Sequence, residues 1–152
     1  MKNLILIATL LSLVSCKTER VEHDSSYFKI DEATSQSWTG GAAGSGTGIN
    51  FTIKLMYSGN TSITIESIWI DGREYKPEVR EFGKEGIIEG ADVYCRYKEW
   101  TQPDTNEHFE SPVKSSDSPK YDGAALLTYS VGDESYFLVL DSFKELEPLN
   151  YP

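Results

Sequence analysis

Five glycines fall between Trp38 and Ile49 in the stretch SWTGGAAGSGTGINFTIKL, which starts at Ser37. Glycines at this density can cradle a phosphate, because a backbone without Cβ atoms can bring its N–H groups onto an anion. A Walker-type loop needs Gly, four residues, then Gly-Lys-Ser/Thr. Gly41 and Gly46 have the first spacing, but Thr47-Gly48 stands where Lys-Ser/Thr is required. The dinucleotide fingerprint fails as well, since Gly44, Gly46 and Gly48 have the wrong third spacing. Both motifs place their glycines at a helix N-terminus, whereas INFTIKL alternates apolar and polar residues like a strand, and no strand precedes the glycines. The expected role is structural. The glycines make a flexible or a tightly bent approach that Trp38 is expected to pin to the sheet, and they permit a close backbone contact or a bulge.

Other reactive groups are scattered. Cys95 in ADVYCRY reads as a buried strand residue, since a catalytic thiol wants a nearby imidazole and the chain has only His23 and His108. Asp104 and Asn106 in DTNEH fit the first and third positions of a calcium loop. His108, Phe109 and Ser115 occupy its fifth, sixth and twelfth, so the motif fails. No Gly-x-Ser-x-Gly elbow is present, and carboxylate pairing cannot be read from spacing. No catalytic, cofactor-binding or metal-ligating residue is therefore assigned, and no enzymatic activity is expected. Tyr94, Arg96, Lys98 and Trp100 share one face of a strand, an arrangement able to stack sugar or base rings; cross-strand packing is the reading the residues favour.

The residue with the most specific chemistry is Cys16. MKNLILIATLLSLVSC has a positive start at Lys2, an apolar run from Leu4 to Val14 and a small residue, Ser15, before the Cys. The run is shorter than the ~20 apolar residues that span a bilayer. LVSC, Leu13 to Cys16, resembles the lipobox of bacterial lipoproteins cut by the type II signal peptidase. That resemblance covers the first 16 residues. It implies that residues 1–15 are removed and that Cys16 becomes an N-terminus carrying a diacylglycerol thioether, usually with a third, amide-linked acyl chain. Two or three chains anchor more stably than one, at ~0.8 kcal/mol per buried CH2. Lys17 followed by acidic residues is similar to a surface-export signal, interrupted by Thr18. The expected location is the outer membrane, lipid-anchored, on its periplasmic or its surface face.

The full chain has 14 Lys plus Arg against 24 Asp plus Glu, a net charge of −10. Loss of residues 1–15 removes only Lys2, leaving 13 against 24, or −11. Such a charge repels phosphate backbones and anionic headgroups, so no nucleic-acid partner is expected.

These residues need a scaffold, and the pattern is that of strands. Residues 49–55 alternate with period two; residues 63–70 and 73–79 flank Asp71-Gly72, the signal for a type I′ hairpin, with Pro77 consigning its strand to an edge. Residues 91–100 form a strand after a turn-rich stretch, and GAALLTYSV and SYFLVLDSF make a second hairpin through Gly132-Asp133. Residues 27–30 are a candidate first short strand. No helical period appears. About six or seven short strands predict an all-β, antiparallel β-sandwich of immunoglobulin-like architecture, with a partly open barrel as the alternative. The domain organisation reads as a signal peptide at 1–15, the lipidated Cys and a polar tether at 16–37, and one β-sandwich domain at 38–152. TQPDTNEHFESPVKSSDSP, which starts at Thr101 and closes on Pro119, reads as a disordered or functional loop, with a short edge strand at 109–114 as the alternative.

Beyond the signal, the chain resembles small Gram-negative lipoproteins in size and in its Trp-x-Gly-Gly approach, a likeness that implies no activity. The expected function is a non-enzymatic binding or assembly module docking a protein or glycan, through loops such as 101–119. The alternative is an inhibitor or protective protein that turns its acidic surface on a basic partner.

Overall fold

The alternation at residues 49–55 builds the middle strand of a five-stranded sheet. The computed structural model describes residues 26–41, 45–59, 61–99 and 112–152. Within these lie nine strands: β1 (Phe28–Thr39), β2 (Thr47–Tyr57), β3 (Ile63–Ile70), β4 (Arg73–Tyr75), β5 (Glu78–Lys84), β6 (Ile87–Glu99), β7 (Ala125–Val131), β8 (Glu134–Leu140) and β9 (Lys144–Asn150). One sheet runs β5-β6-β2-β1-β9 and the other β4-β3-β7-β8. The fold is the expected all-β sandwich and does not close into a barrel. Every pairing is antiparallel except β1 with β9, which is parallel.

Both expected hairpin turns form. Asp71 and Gly72 have φ of 50° and 72°, the two positive values a type I′ turn demands. At the second turn Gly132 has φ 61° and Val131 pairs with Glu134. A third hairpin joins β5 to β6 through Glu85-Gly86, φ 53° and 80°, inside the stretch read as turn-rich before residue 91, where β5 and the start of β6 were not expected. Glu-Gly adopts the same turn as Asp-Gly but is a weaker signal for it. The expected strand at 73–79 is cut short: only Arg73–Tyr75 pairs with β3, and at Pro77, which has no N–H to donate, the chain leaves β4 for β5 at the edge of the other sheet.

The candidate first strand at 27–30 is the start of β1, and residues 31–37, assigned to the tether, continue it, so the sandwich begins near residue 27. The alternation is hidden because the core-facing positions Ala33, Ser35 and Ser37 are small while Glu32, Thr34 and Gln36 face outward. Strand β9 also went unforeseen: Lys144, Glu145, Glu147 and Pro148 are poor strand signals, and its support is the pairing to β1. Residues 1–25, 42–44, Asn60, Trp100 and 101–111 lie outside the described residues. They include Cys16, His23 and the whole of DTNEH.

The core sits between the sheets. Phe28, Ile53, Leu55 and Val93 from the five-stranded sheet meet Ile68, Leu127 and Tyr129 from the other, all fully or almost fully buried. The Phe28 and Tyr129 rings meet edge-on, 4.9 Å between centroids. Each buried side chain of this size contributes about 1.5–3 kcal/mol relative to exposure.

The outer face of the four-stranded sheet has a cover of its own. Leu126 and its partner Val139 are buried although their neighbours Leu127 and Leu138 fill the main core. Residues 112–124 lie over them. The Ser115 N–H donates to the Gly72 carbonyl at 2.9 Å, the Tyr121 hydroxyl donates to the Trp69 carbonyl at 2.9 Å, and a Cβ on Gly123 would stand 2.5 Å from Val139 Cγ1. Lys114 donates to Asp71 at 2.8 Å and bridges Arg73 as an isolated antiparallel pair. Hydrogen bonds first from Lys114 and then from Arg73 hold the Asp71 carboxyl below its ordinary range. The second half of the long loop is thus ordered packing, with Lys114 as the trace of the edge strand anticipated at 109–114.

Candidate functional site on the outer sheet face

Strand alternation sends Gly90, Asp92, Tyr94, Arg96 and Lys98 of β6 to the outer face of the five-stranded sheet. Registered beside them are Asn50, Thr52 and Lys54 of β2, Trp38 of β1, and Glu78, Arg80 and Phe82 of β5. Tyr94, Arg96 and Lys98 therefore share one face, as their spacing required; Trp100 lies outside the described residues.

Two aromatic rings lie against glycines at opposite ends of this face. Trp38 pairs with Gly48, and a Cβ there would stand 2.7 Å from the indole Cε2 and Cζ2. Phe82 pairs with Gly90, where a Cβ would stand 2.7 Å from the ring Cζ. In both pairs the missing side chain is what lets the ring lie against the strand, and the ring in turn covers backbone that glycine leaves bare. Trp38 is buried by this contact, and its Nε1 has no acceptor among the described residues. This resolves the glycine-rich stretch: Gly48 accommodates the Trp38 ring, and Gly40 and Gly41 leave room for Ser45 and for Tyr151 and Pro152.

Arg96 joins the two halves of the face. Its Nε donates to Asn50 Oδ1 at 2.9 Å, and its Nη2 donates to the Tyr94 hydroxyl at 2.8 Å. That hydroxyl in turn donates to Asn50 Oδ1 at 3.0 Å. The guanidinium stands 5.7 Å from the centroid of the Trp38 ring and 5.8 Å from that of Tyr94. Each cation–π contact at such an exposed site contributes ~0.5–1 kcal/mol. Every one of these partners is neutral, and no carboxylate pairs with Arg96 among the described residues. In a chain of net charge −10 this is a cation held in fixed orientation without a salt-bridging carboxylate among the described residues, although Glu78 and Asp92 line the same hollow.

Arg96 lines two open hollows. One, of about 610 Å³, is bordered by Thr52, Glu78, Arg80, Asp92 and Tyr94; the other, of about 320 Å³, is bordered by Trp38, Lys98 and Tyr151. Glu78 accepts from Arg80 at 2.6 Å, which raises the Arg80 pKa and leaves the guanidinium charged. The face offers hydroxyl, amide, guanidinium and carboxylate groups between two ring platforms, a set suited to polar ligands. Among the described residues no group of three or more His, Cys, Asp or Glu side chains is placed to hold a metal ion. Sequence reasoning found the β6 stripe but missed Asn50 and Tyr151. The outward parity of Asn50 on β2 was a usable signal, whereas nothing local marks Tyr151.

Cys95 points the other way, into the core. Burial pushes its thiol up to about 12, so it is unsuited to nucleophilic chemistry near neutrality. Burial also pushes Tyr75 up to about 12, helped by the neighbouring Cys95 charge. The folded chain keeps both protons where the unfolded chain, with ordinary values of 9.0 and 10.0, releases them. The contribution of these two groups to stability is therefore expected to be level below about pH 8 and to fall between about pH 9 and 12, apart from the loss at acid pH as the Asp71 carboxylate protonates. Urea titrations across that range check this, and a level profile would contradict the burial of the two groups. In a Cys16→Ser background, Cys95 should resist a thiol reagent at about pH 8 until urea is added.

Compared with protein-family models, with curated proteins and with solved structures, the chain matches none of them.

Proposed function

We propose that this chain is a lipid-anchored, non-enzymatic binding module of the outer membrane, holding a protein or glycan partner against the outer face of its five-stranded sheet. The observation that carries the reading is Arg96, oriented by neutral partners and two aromatic rings between two hollows. An exposed cation so constrained has already lost much of the side-chain entropy that a partner would otherwise have to remove. The lipobox resemblance at Leu13 to Cys16 supports the anchor: acylation of Cys16 would attach the sandwich to the membrane through a tether of about 10 residues, since β1 starts at Phe28. No helix of the described residues is long and apolar enough to cross a membrane.

The test compares crosslinked captures from membranes carrying the full chain and its Arg96→Ala variant, with a glycan array read in parallel. Arg96→Ala is expected to weaken capture about tenfold or more, while shifting Tm by little because Arg96 is exposed. Equal capture by both proteins, or no reproducible partner at any salt, would remove the reading. Acyl labelling that is lost in Cys16→Ser tests the anchor separately.

A second reading, an inhibitor or protective protein acting on a basic partner, rests on the charge of −11 after loss of residues 1–15. Complementary potentials speed such association at low salt. Binding across a panel of cationic enzymes that showed no salt dependence would eliminate it.

A further inference from the structure

The edge of a sheet presents a row of unpaired N–H and C=O groups, which folded chains usually protect with charge, proline, bulges or brevity. This sandwich has four edges, and three are protected. β5 carries Glu78, Arg80, Glu81 and Lys84 and bulges between Phe82 and Gly83. β9 carries Lys144, Glu145, Glu147 and Pro148. β4 is three residues long and is bridged by Lys114.

Beyond its first residue, Glu134, β8 has none of these devices. It pairs with β7 in unbroken register from Glu134 to Leu140, and from Ser135 onward it holds no charge, proline or glycine. Phe137, on its outer side, is 37% exposed. Beside this edge, an open hollow of about 360 Å³ is lined on its apolar side by half-buried Ile30 and Ala33 of β1 with Val139 and Leu140, and at its polar end by Asp141, Ser142 and Lys144. An added strand would find backbone partners along β8 and apolar surface in the hollow.

The charges around the edge select the occupant. Asp133 and Glu134 stand at one end of β8 and Asp141 at the other, all exposed, and none has an ion-pair partner among the described residues. Lys144, the nearby cation, is already 3.5 Å from Glu32. A second copy fits poorly. Antiparallel pairing of β8 with itself about Phe137 sets Asp133 opposite the Asp141 of the other copy, and like charges directly opposite are destabilising.

We infer that the β8 edge is a β-augmentation site for an extended segment of a second protein, apolar at alternate positions and basic at both ends. Main-chain hydrogen bonds supply the affinity, the hollow reads alternate side chains, and the acidic ends select Lys or Arg. The β8 edge belongs to the four-stranded sheet and its hollow reaches β1 and β9 of the other, but none of the residues lining it lines the hollows beside Arg96.

The probe is a fluorescein-labelled heptapeptide, Lys-Val-Thr-Val-Thr-Val-Lys, titrated into the detergent-solubilised full chain and followed by anisotropy. Saturable binding is expected, weakened about tenfold by Phe137→Lys and by Asp141→Lys and progressively by salt, with Arg96→Ala binding as the parent does. Equal binding of the same peptide with Glu at both ends would overturn the inference, as would no saturable binding. Parent-like binding by Asp141→Lys, an exposed position outside any strand, would overturn it even if Phe137→Lys failed to fold. Sedimentation of the parent as a dimer that Phe137→Lys dissociates would assign the edge to self-association instead.

Discussion

Tyr129→Ala is expected to remove about 3–5 kcal/mol of folding stability. Domains of ordinary stability have about 5–15 kcal/mol in total, so the loss takes a third or more of it. The ring is fully buried on β7, meets Phe28 edge-on at 4.9 Å and stacks on Tyr136 at 5.4 Å, with 18° between the planes. Phe28 belongs to the opposite sheet, so the side chain locks the two layers together as well as filling space. Aromatic pairs of this geometry contribute ~0.5–1.5 kcal/mol beyond their burial. Alanine leaves a cavity against rigid strands that have little freedom to collapse into it. Tyr129→Phe keeps the ring and should recover most of the loss. The measurement is urea denaturation, and a Tyr129→Ala change below about 1.5 kcal/mol would show that the sheets are held together elsewhere.

Gly48→Val should cost about 3 kcal/mol and lower Tm by roughly 6–12 °C. The added Cβ would meet the Tyr97 carbonyl oxygen at 2.2 Å and the Trp38 ring at 2.7 Å, both inside the 3.0 Å that real Cβ contacts respect. The first obstacle is backbone of the paired strand β6, which cannot swing aside like a flexible side chain. Relief must come from prising β2 from β6 or expelling the indole, and each disturbs Arg96, which stands over that ring. The variant should therefore lose capture of the proposed partner along with stability, unlike Arg96→Ala, which should lose capture alone. Thermal unfolding beside the crosslinked capture separates the two cases. A Gly48→Val protein as stable as the parent would mean that Trp38 does not rest on this strand.

Much of the sandwich was legible because its signals are local. The alternation of Phe51, Ile53 and Leu55, the Asp71-Gly72 and Gly132-Asp133 turns, and the placing of Tyr94, Arg96 and Lys98 on one face each follow from neighbours in the chain. Apart from β5, which pairs with its neighbour β6 through Glu85-Gly86, the strands missing from the sequence pattern, β9 and β1 beyond its candidate start at 27–30, depend on distant partners. β1 has small residues where a strand usually shows large apolar ones, and it is held between β2 and β9. β9 carries proline and alternating charge, yet the Gln36 side chain of β1 donates to the Glu147 carbonyl 111 positions away. No local propensity predicts a parallel pairing of that span, because its free energy is gained only once both strands are in place.

The same division holds at the site. By itself the sequence determined the period-two strands, two of the hairpin turns, the acidic balance, the failure of the phosphate motifs at Gly41 to Gly48 and the lipobox resemblance ending at Cys16. Only the paired strands place Asn50 and Tyr94 on the Arg96 guanidinium, rest Trp38 on Gly48, and make β8, among the described residues, the edge without charge, proline or bulge past Glu134. The physical reason is range: side-chain alternation and turn geometry act over two to four residues, whereas register, ring-on-glycine packing and the identity of an edge exist only after strands far apart in the chain have paired.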